Sequence, residues 1–350
     1  MIDLRSDTLT LPSEEMRTAM FRAEVGDDVY GEDPSINALE ERTAELLHQE
    51  AGLYCPSGSM TNMLGIAAQV PRGYEALCES QAHIVRAECG SHAALAGVTT
   101  RTWVSPDGTF DASMPLSMVS EPRGYNQVGT KVIEVENSHN FGGGRVADIE
   151  QLRILHSATR ELGVRVHVDG ARLGNTVAAT GISLGEYGDL ADSVSLCLSK
   201  GLGAPVGSVL VGDADMIAEA RLLRKRYGGG MRQAGILAAG ALWALEHNLE
   251  RLADDNANAL RIAEAVAATS PGIVDPTVVE TNIVFFDFSG TGASGTAFAE
   301  AAAREGVRVT AMSESKVRIV THLDVSDDDA LKAGEILARV ASDLLGASAA

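Results

Sequence analysis

The sequence predicts an α/β fold in which a large domain with a mainly parallel central sheet precedes a small C-terminal α+β domain. Strand-like and helix-like segments alternate from about residue 51 to residue 211, as in sheets whose parallel strands are joined by crossover helices. Two strand-like runs, residues 164–168 and 193–199, have the β-branched pattern typical of strands buried on both faces. Beyond the Pro-Gly and Asp-Pro steps at residues 271–276, short strands alternate with helices in a smaller unit.

The predicted elements fall into three regions along the chain. Residues 1–30 form an extended arm and a short helix, residues 31–248 form the large domain, and residues 249–350 form the small domain. Ser13 is the predicted N-cap of the short helix, which covers residues 13–23. In the large domain, helices are predicted over residues 35–47, 56–70, 148–162 and 231–247, and strands over residues 132–135, 164–168, 194–198 and 207–211. In the small domain, strands are predicted over residues 283–286, 307–309 and 317–320.

Charge and cysteine content limit the classes of partner and compartment. The chain has 350 residues and a formal net charge of −20, so long-range repulsion disfavours nucleic acid and anionic membrane surfaces as partners. The four cysteines show no C-x-x-C spacing, and neither a zinc site nor a disulfide framework is expected. The longest apolar run, residues 234–245, is too short to span a bilayer. Residues 1–7 lack the pattern of a signal peptide, and we expect a cytoplasmic protein.

A lysine and an aspartate stand at the ends of two strand-like runs. Lys200 follows residues 193–199, and Asp169 follows residues 164–168. In open α/β sheets, ligands bind outside the carboxyl ends of the strands, so both side chains are expected to face one crevice. A lysine that forms a Schiff base and an aspartate that pairs with a pyridinium nitrogen are what a protein contributes to pyridoxal phosphate (PLP) chemistry. The pair therefore predicts a PLP site.

Three further segments carry residues suited to such a site. Gly58 lies in a strand-to-helix turn and predicts a phosphate cradle, because the first turn of a helix presents free N–H groups. Residues 228–230 are three glycines that precede a long helical pattern, with Arg232 on its predicted first turn. An anion there would offset the unfavourable interaction of a cation with the helix dipole, and a flexible hinge is the alternative. Arg318 alternates with apolar residues in a strand and needs an anion, such as a substrate carboxylate.

His83 is open to two interpretations. It is either a structural histidine or a residue that lies over a cofactor ring and takes part in proton transfer. Other chemistries gain no support from the sequence. The histidines lie in no metal-ligand spacing, so no metal is expected, and a G-x-S-x-G nucleophile elbow is missing. The glycines of residues 201–207 do not have the spacing of a dinucleotide fingerprint.

Together with the motifs around them, these residues give the chain a strong resemblance to the low-specificity L-threonine aldolases. These are PLP enzymes of fold type I, which have the aspartate-aminotransferase fold. The resemblance covers nearly the whole chain, and several of its motifs are specific to the family. The motifs lie at residues 3–8, 25–34, 136–140, 167–172, 198–203, 228–233 and 320–324. The family is typically a homotetramer, a dimer of dimers whose active sites are shared across the dimer interface.

The resemblance implies a role for each residue at the cofactor. Lys200 carries the Schiff base, Asp169 pairs with the pyridine nitrogen, and His83 stacks on the ring. Arg172 lies near the phenolic oxygen of the cofactor and the substrate carboxylate. The residues that contact the phosphate are Gly58, Ser59 and Met60, with Lys225 and Arg232 from a neighbouring subunit.

The resemblance also implies the substrate and the reaction. Ser6, Tyr30 and Arg318 line a pocket, shared with Arg172, for a small amino acid. The implied reaction is retro-aldol cleavage of L-threonine, L-allo-threonine and related β-hydroxy-α-amino acids to glycine and an aldehyde. The loop at residues 122–127 departs from the family pattern and leaves the preference between the two β-epimers open. The alternatives are another β-eliminating lyase or an amino-acid racemase on the same scaffold, or a binding protein that has kept the fold without the cofactor.

Overall fold

A computed structural model describes residues 1–121 and 125–349 of the chain. Its strands are β1 (Ile2–Asp3), β2 (Ala51–Cys55), β3 (Glu75–Glu79), β4 (Thr99–Trp103), β5 (Thr130–Glu136), β6 (Arg165–Gly170), β7 (Ser193–Cys197), β8 (Ser208–Gly212), β9 (Ile283–Asp287), β10 (Val307–Arg308), β11 (Thr310–Ala311) and β12 (Lys316–Val320).

Helices alternate with these strands through most of the chain. The helices are α1 (Glu14–Phe21), α2 (Pro34–Leu46), α3 (Gly58–Ala67), α4 (His83–Arg86), α5 (Ser113–Met118), α6 (Ile149–Leu162), α7 (Leu173–Thr180), α8 (Leu184–Gly188), α9 (Ala214–Arg226), α10 (Gly235–His247), α11 (Leu252–Ala267), α12 (Gly295–Arg304) and α13 (Asp327–Ala349). Short 3-10 turns cover Asp7–Leu9, Asp28–Tyr30 and Pro276–Val278, and a π-helical turn covers His92–Ala96.

One large sheet forms the centre of the protein. In the described ranges it has seven strands, in the order β2-β8-β7-β6-β5-β3-β4. Strand β8 is antiparallel to β2 and β7, and the other neighbouring pairs are parallel. The predicted α/β fold with a mainly parallel central sheet is therefore confirmed. Because β5, β6 and β7 are parallel neighbours, their carboxyl ends meet at one edge of the sheet.

Local capping signals start several of the helices where the sequence predicts them. The Ser13 hydroxyl accepts a hydrogen bond from the Met16 amide and caps α1. Asp148 accepts from the amides of Glu150 and Gln151 and caps α6. A side-chain acceptor at these positions satisfies N–H groups that lack a partner within the helix.

The start of α10 differs from the sequence prediction. The predicted helix begins at Met231, whereas α10 begins at Gly235, so placing Arg232 on its first turn is wrong. The cause is a contact between distant segments. Asp33 caps α2 and also accepts a hydrogen bond from the Gly235 amide at 2.9 Å. A Cβ at Gly235 would lie 2.3 Å from Asp33 Oδ1, so only glycine allows this approach.

A second, smaller sheet lies in the C-terminal region. Strands β11, β12 and β9 pair antiparallel in that order. They pack with α11, α12 and α13 around a core that includes Phe286, Phe288 and Phe298. The N-terminal arm joins this region, since β1 pairs with β10 and Leu4 is buried in the same core.

The predicted division into residues 31–248 and 249–350 can be compared with the two largest hydrophobic cores. The core of the large sheet extends from Met16 to Leu252, and the second core lies mainly between Ala259 and Ala341. The arm contributes to both, so its residues connect the two regions. Exact domain boundaries stay a prediction.

No helix among the described residues is both long and apolar enough to cross a membrane.

A buried ion pair fixes the arm to the large sheet. Arg172, which follows β6, donates two hydrogen bonds to the Asp7 carboxylate, from Nε at 2.7 Å and from Nη2 at 2.8 Å. The same carboxylate accepts from Asn282 Nδ2 at 3.3 Å, in the segment that precedes β9. Burial disfavours the charged carboxylate, but the charge and hydrogen bonds of Arg172 prevail and lower the pKa of Asp7 to about 2.

Replacing Asp7 with asparagine should lower the free energy of unfolding by about 3–5 kcal/mol at neutral pH, because Arg172 then stays buried without its counter-charge. The folded pKa lies below the ordinary value of 3.8, so the stabilisation is complete above that pH and is lost as the pH falls through about 2. Denaturant unfolding of both proteins at several pH values measures the difference.

The matched control is Glu305→Gln, which breaks an exposed ion pair with Arg339 at 3.2 Å. Exposed pairs contribute at most about 1 kcal/mol, so this variant should unfold almost as the parent does. An Asp7→Asn effect no larger than that of the control would contradict the assigned role of the buried pair.

Candidate active site

A cavity of about 310 Å³ lies at the carboxyl ends of the central strands. The arm contributes Thr8 to its lining, and the remaining lining comes from strands β6 and β7 and from the segments that follow β2, β3, β6 and β7. Five of the predicted site residues line it: Gly58, Ser59, His83, Asp169 and Lys200. The sheet topology thus brings together residues that are up to 142 positions apart, as the parallel strand order predicts.

The first turn of α3 forms one wall of the cavity. Ser57 is the N-cap, and its hydroxyl accepts a hydrogen bond from the Met60 amide at 3.2 Å. The amides of Gly58 and Ser59 have no partner within the described residues and lie at the positive end of the helix. This wall suits a phosphate group. The Met60 side chain packs instead towards Gly229, and its amide is taken by Ser57.

Asp169 lies at the end of β6 and is almost completely buried. Its Oδ2 accepts a hydrogen bond from Asn62 Nδ2 at 2.7 Å, and its Oδ1 accepts from the Ala171 amide at 3.0 Å. These two contacts fix the orientation of the carboxyl group where it lines the cavity, and a carboxylate held there could face the ring nitrogen of a cofactor.

His83 begins α4 and is held through both its backbone and its ring. Its amide donates to Glu136 Oε2 at 2.8 Å, and Nδ1 lies 2.8 Å from Glu88 Oε1. Burial disfavours the imidazolium, but the hydrogen bond with Glu88 and the charge of Asp169 prevail and raise the pKa of His83. Because Nδ1 faces Glu88, the other ring nitrogen is left to act in the cavity.

Lys200 follows β7, and the arm holds its backbone. Its carbonyl accepts hydrogen bonds from Thr10 Oγ1 and from the Gly203 amide, both at 2.9 Å. The amine of Lys200 forms no hydrogen bond or ion pair with the residues the structure describes. It is therefore free to react in the cavity.

Arg318 carries a buried donor that lacks an acceptor. Its Nη1 donates to Asn140 Oδ1 at 2.8 Å and its Nη2 to the Arg5 carbonyl at 3.2 Å, while Nε is buried without a partner in the described chain. Burial and the nearby charge of Arg172 lower the pKa of Arg318 to about 10. Buried unpaired donors are costly, and a bound carboxylate would satisfy this one. Ser6, next to Arg5, is half-buried and accepts from Thr8.

Arg172 is placed differently from the expectation for a free substrate ligand. Its guanidinium is occupied by Asp7, and it is not part of the cavity lining in the described chain. Its charge still acts on Arg318 nearby. Ser6, Met60 and Arg318, like Arg172, are not part of the cavity lining in the described ranges.

Three further predicted residues each have other surroundings in the single chain. Tyr30 is 75% exposed, and Arg232 forms an ion pair with Asp27 at 2.9 Å. Lys225 lines a separate cavity of about 460 Å³ together with Leu222. None of the three belongs to the wall of the 310 Å³ cavity in the described ranges.

The loop that departs from the family pattern lies only partly within the described residues. Residues 122–124 lie outside them. Tyr125, Asn126 and Gln127 are exposed, and Gln127 Nε2 donates to the Ser120 hydroxyl at 2.9 Å. These three residues do not line the cavity.

Sequence reasoning missed several polar residues that hold the site together. They are Asp7, Asn62, Glu88, Glu136, Asn140 and Asn282. Asp7, Glu136 and Asn140 belong to sequence motifs around the site, but a motif does not say which partner a side chain meets. Glu88 carried no signal at all, because its partners His83 and Asn62 are brought to it only by the fold.

Comparisons with known proteins agree with this architecture. The family model for the beta-eliminating lyases matches residues 3–289. The chain is 41% identical over 329 residues to a low specificity L-threonine aldolase from Escherichia coli, covering 93% of this chain and 95% of the relative. It is also 45% identical over 271 residues to an uncharacterized protein of Caenorhabditis elegans, covering 77% of this chain but only 65% of that protein.

A solved threonine aldolase from Leishmania major has the same fold. It superposes with a TM-score of 0.82 at 20% sequence identity and covers 97% of this chain and 100% of its own. Fold, family match and sequence identity lead to one conclusion. The chain belongs to the beta-eliminating lyase family, in the group of the low-specificity L-threonine aldolases.

Proposed function

We propose that this protein is a PLP-dependent aldehyde-lyase that cleaves L-threonine, L-allo-threonine and related β-hydroxy-α-amino acids into glycine and an aldehyde. The observation that carries the proposal is the 310 Å³ cavity, where an unpaired lysine, a buried aspartate and a histidine meet at the amino end of a helix. The enzyme names of the relatives fit the same reaction.

The residues of the cavity fit PLP at each of its polar groups. Lys200 would hold the cofactor covalently, Asp169 would meet its ring nitrogen, and the free amides of Gly58 and Ser59 would bind its phosphate. When bound, PLP supplies an acceptor for the electron pair that the Cα–Cβ bond leaves behind. The Asp169 side chain, held by Asn62 and the Ala171 amide, would meet the ring nitrogen and would support this role by favouring a proton there.

Arg318 is the residue best suited to orient the substrate. Its Nε lacks an acceptor, and the second positive charge of Arg172 lies near it. A substrate carboxylate bound here would lose its rotation, and the Cα–Cβ bond could be held in the orientation that cleavage requires. Orientation of this kind contributes about 7–11 kcal/mol in favourable systems.

His83 is the proposed base for the β-hydroxyl group. In this role Nδ1 of His83 carries the proton and donates a hydrogen bond to Glu88. The lone pair of Nε2 is then left for the substrate, directly or through one water. Removal of the hydroxyl proton allows the carbonyl of the leaving aldehyde to form. Ser6, next to the Arg5 carbonyl that Arg318 contacts, would line the substrate pocket, and Tyr30 would join it from a neighbouring subunit.

We further propose a cytoplasmic homotetramer, a dimer of dimers in which subunits complete each other's sites. The exposed side chains of Tyr30, Lys225 and Arg232 support this arrangement, because their family roles require a site that they do not reach within one chain. Two exposed apolar residues, Val29 and Leu222, line the same cavity as Lys225.

The purified protein should release acetaldehyde and glycine from L-threonine and from L-allo-threonine. Lys200→Ala should abolish this turnover and the visible absorbance of the bound cofactor, because the covalent attachment point is lost. Lys332→Ala, an exposed lysine on α13, is the matched control and should keep both. Ammonia and a keto acid in place of aldehyde would indicate a β-eliminating lyase, and interconversion of enantiomers would indicate a racemase.

Replacing Arg318 with leucine should raise KM for L-threonine by roughly 10- to 150-fold, the factor that corresponds to a hydrogen-bonded charged partner. Steady-state kinetics measures it. Arg339→Leu, which removes an exposed arginine from α13, is the control and should leave KM unchanged. An unchanged KM in the Arg318 variant would rule out the proposed carboxylate contact.

The acidic limb of the kcat/KM profile should follow the pKa of His83, which lies above its ordinary value. Activity falls as the pH drops through that pKa, because the imidazolium cannot accept a proton. Glu88→Gln should move the limb to lower pH, since the carboxylate no longer stabilises the imidazolium. A limb that stays in place in this variant would exclude His83 as the titrating base.

A further inference from the structure

Glu136 lies at the carboxyl end of β5, and both of its oxygens are hydrogen-bonded to backbone amides. Oε2 accepts from the His83 amide and Oε1 accepts from the Asn140 amide, each at 2.8 Å. The side chain is only 2% exposed. A buried carboxylate with two such donors is held firmly in one orientation.

The two amides belong to segments that carry two of the proposed functional groups. His83 begins α4 and contributes the proposed base. Asn140 accepts the hydrogen bond from Arg318 Nη1 at 2.8 Å, and Arg318 belongs to β12 of the smaller sheet. One carboxylate on the central sheet therefore holds the backbone of His83 and the backbone of Asn140, the residue whose side chain accepts from Arg318.

We propose that Glu136 is a positioning residue that sets the distance between His83 and Arg318. The proposal rests on the proposed function, since it assigns these residues the two ends of a β-hydroxy amino acid. Both oxygens of the carboxylate are needed, because a carboxamide accepts at one atom only and presents N–H groups at the other. Glutamine at this position therefore keeps the hydrogen bond from one backbone amide, while its own N–H group faces the other amide and repels it.

The first experiment compares Glu136→Gln with Glu75→Gln. Glu75 is also a buried carboxylate of the central sheet, but it lies at the amino end of β3 and accepts from Thr130 and Arg101. Both variants should lower the melting temperature. Only Glu136→Gln should also weaken glycine binding, measured by calorimetry on the PLP-loaded protein, by about three- to tenfold, the net strength of one hydrogen bond.

The second experiment tests the route through Asn140. Asn140→Ala removes the acceptor of Arg318 but leaves the backbone contact with Glu136 intact. If Glu136 acts on Arg318 through Asn140, the glycine affinities of the two single variants and the double variant should be non-additive. The acidic limb of the kcat/KM profile, which is assigned to His83, should shift along the pH axis in Glu136→Gln and stay in place in Asn140→Ala.

Additive losses of glycine affinity, or equal behaviour of Glu136→Gln and Glu75→Gln, would overturn the proposal. Glu136→Asp, which keeps the charge but is one methylene too short to reach both amides, replaces the glutamine variant if that protein does not fold. Failure of the proposed function is seen separately, as an unmodified protein that releases no aldehyde from L-threonine.

Discussion

The buried ion pair between Asp7 and Arg172 is the interaction on which the site most depends. It joins three parts of the chain, because Asp7 belongs to the arm, Arg172 follows β6, and Asn282 of the C-terminal region donates to the same carboxylate. The pair also holds a positive charge close to Arg318. Two buried charges are tolerated only when they are paired with good geometry, so this contact fixes both the arm and the small sheet against the cavity.

A single chain of hydrogen bonds extends from this region across the cavity. It connects the following residues in order: Arg318, Asn140, Glu136, His83, Glu88, Asn62 and Asp169. Its members include the proposed carboxylate ligand, the proposed base and the partner of the ring nitrogen. Each group in this chain restrains its neighbours through a hydrogen bond. Their relative positions are therefore fixed more closely than by the sheet alone.

Carboxylic acids dominate the surroundings of the cavity, in keeping with the net charge of −20. Most are satisfied by backbone amides or histidines, and four hydrogen bonds including that of His139 hold the pKa of Glu79 near 2 despite burial. Glu134 differs, because its buried oxygens lack partners in the described chain. Burial and the neighbouring acids, with Asp169 first, raise the pKa of Glu134 well above its ordinary value. Arg318, with a buried donor that lacks an acceptor, is the natural site for an anionic ligand in this field.

The sequence alone determined the α/β fold, the N-cap at Ser13, the helix that starts at about residue 148, and the meeting of Lys200 and Asp169, because strand patterns and capping side chains act over a few residues. Only the tertiary structure decided which polar groups meet. Asp7 and Arg172 are 165 residues apart, and α10 starts at Gly235 because Asp33 reaches it from 202 residues away. Such contacts follow from how strands and helices pack in space. A periodic pattern along the chain carries no information about them. The hydrogen bonds and ion pairs that hold the site could therefore be identified only in the folded molecule.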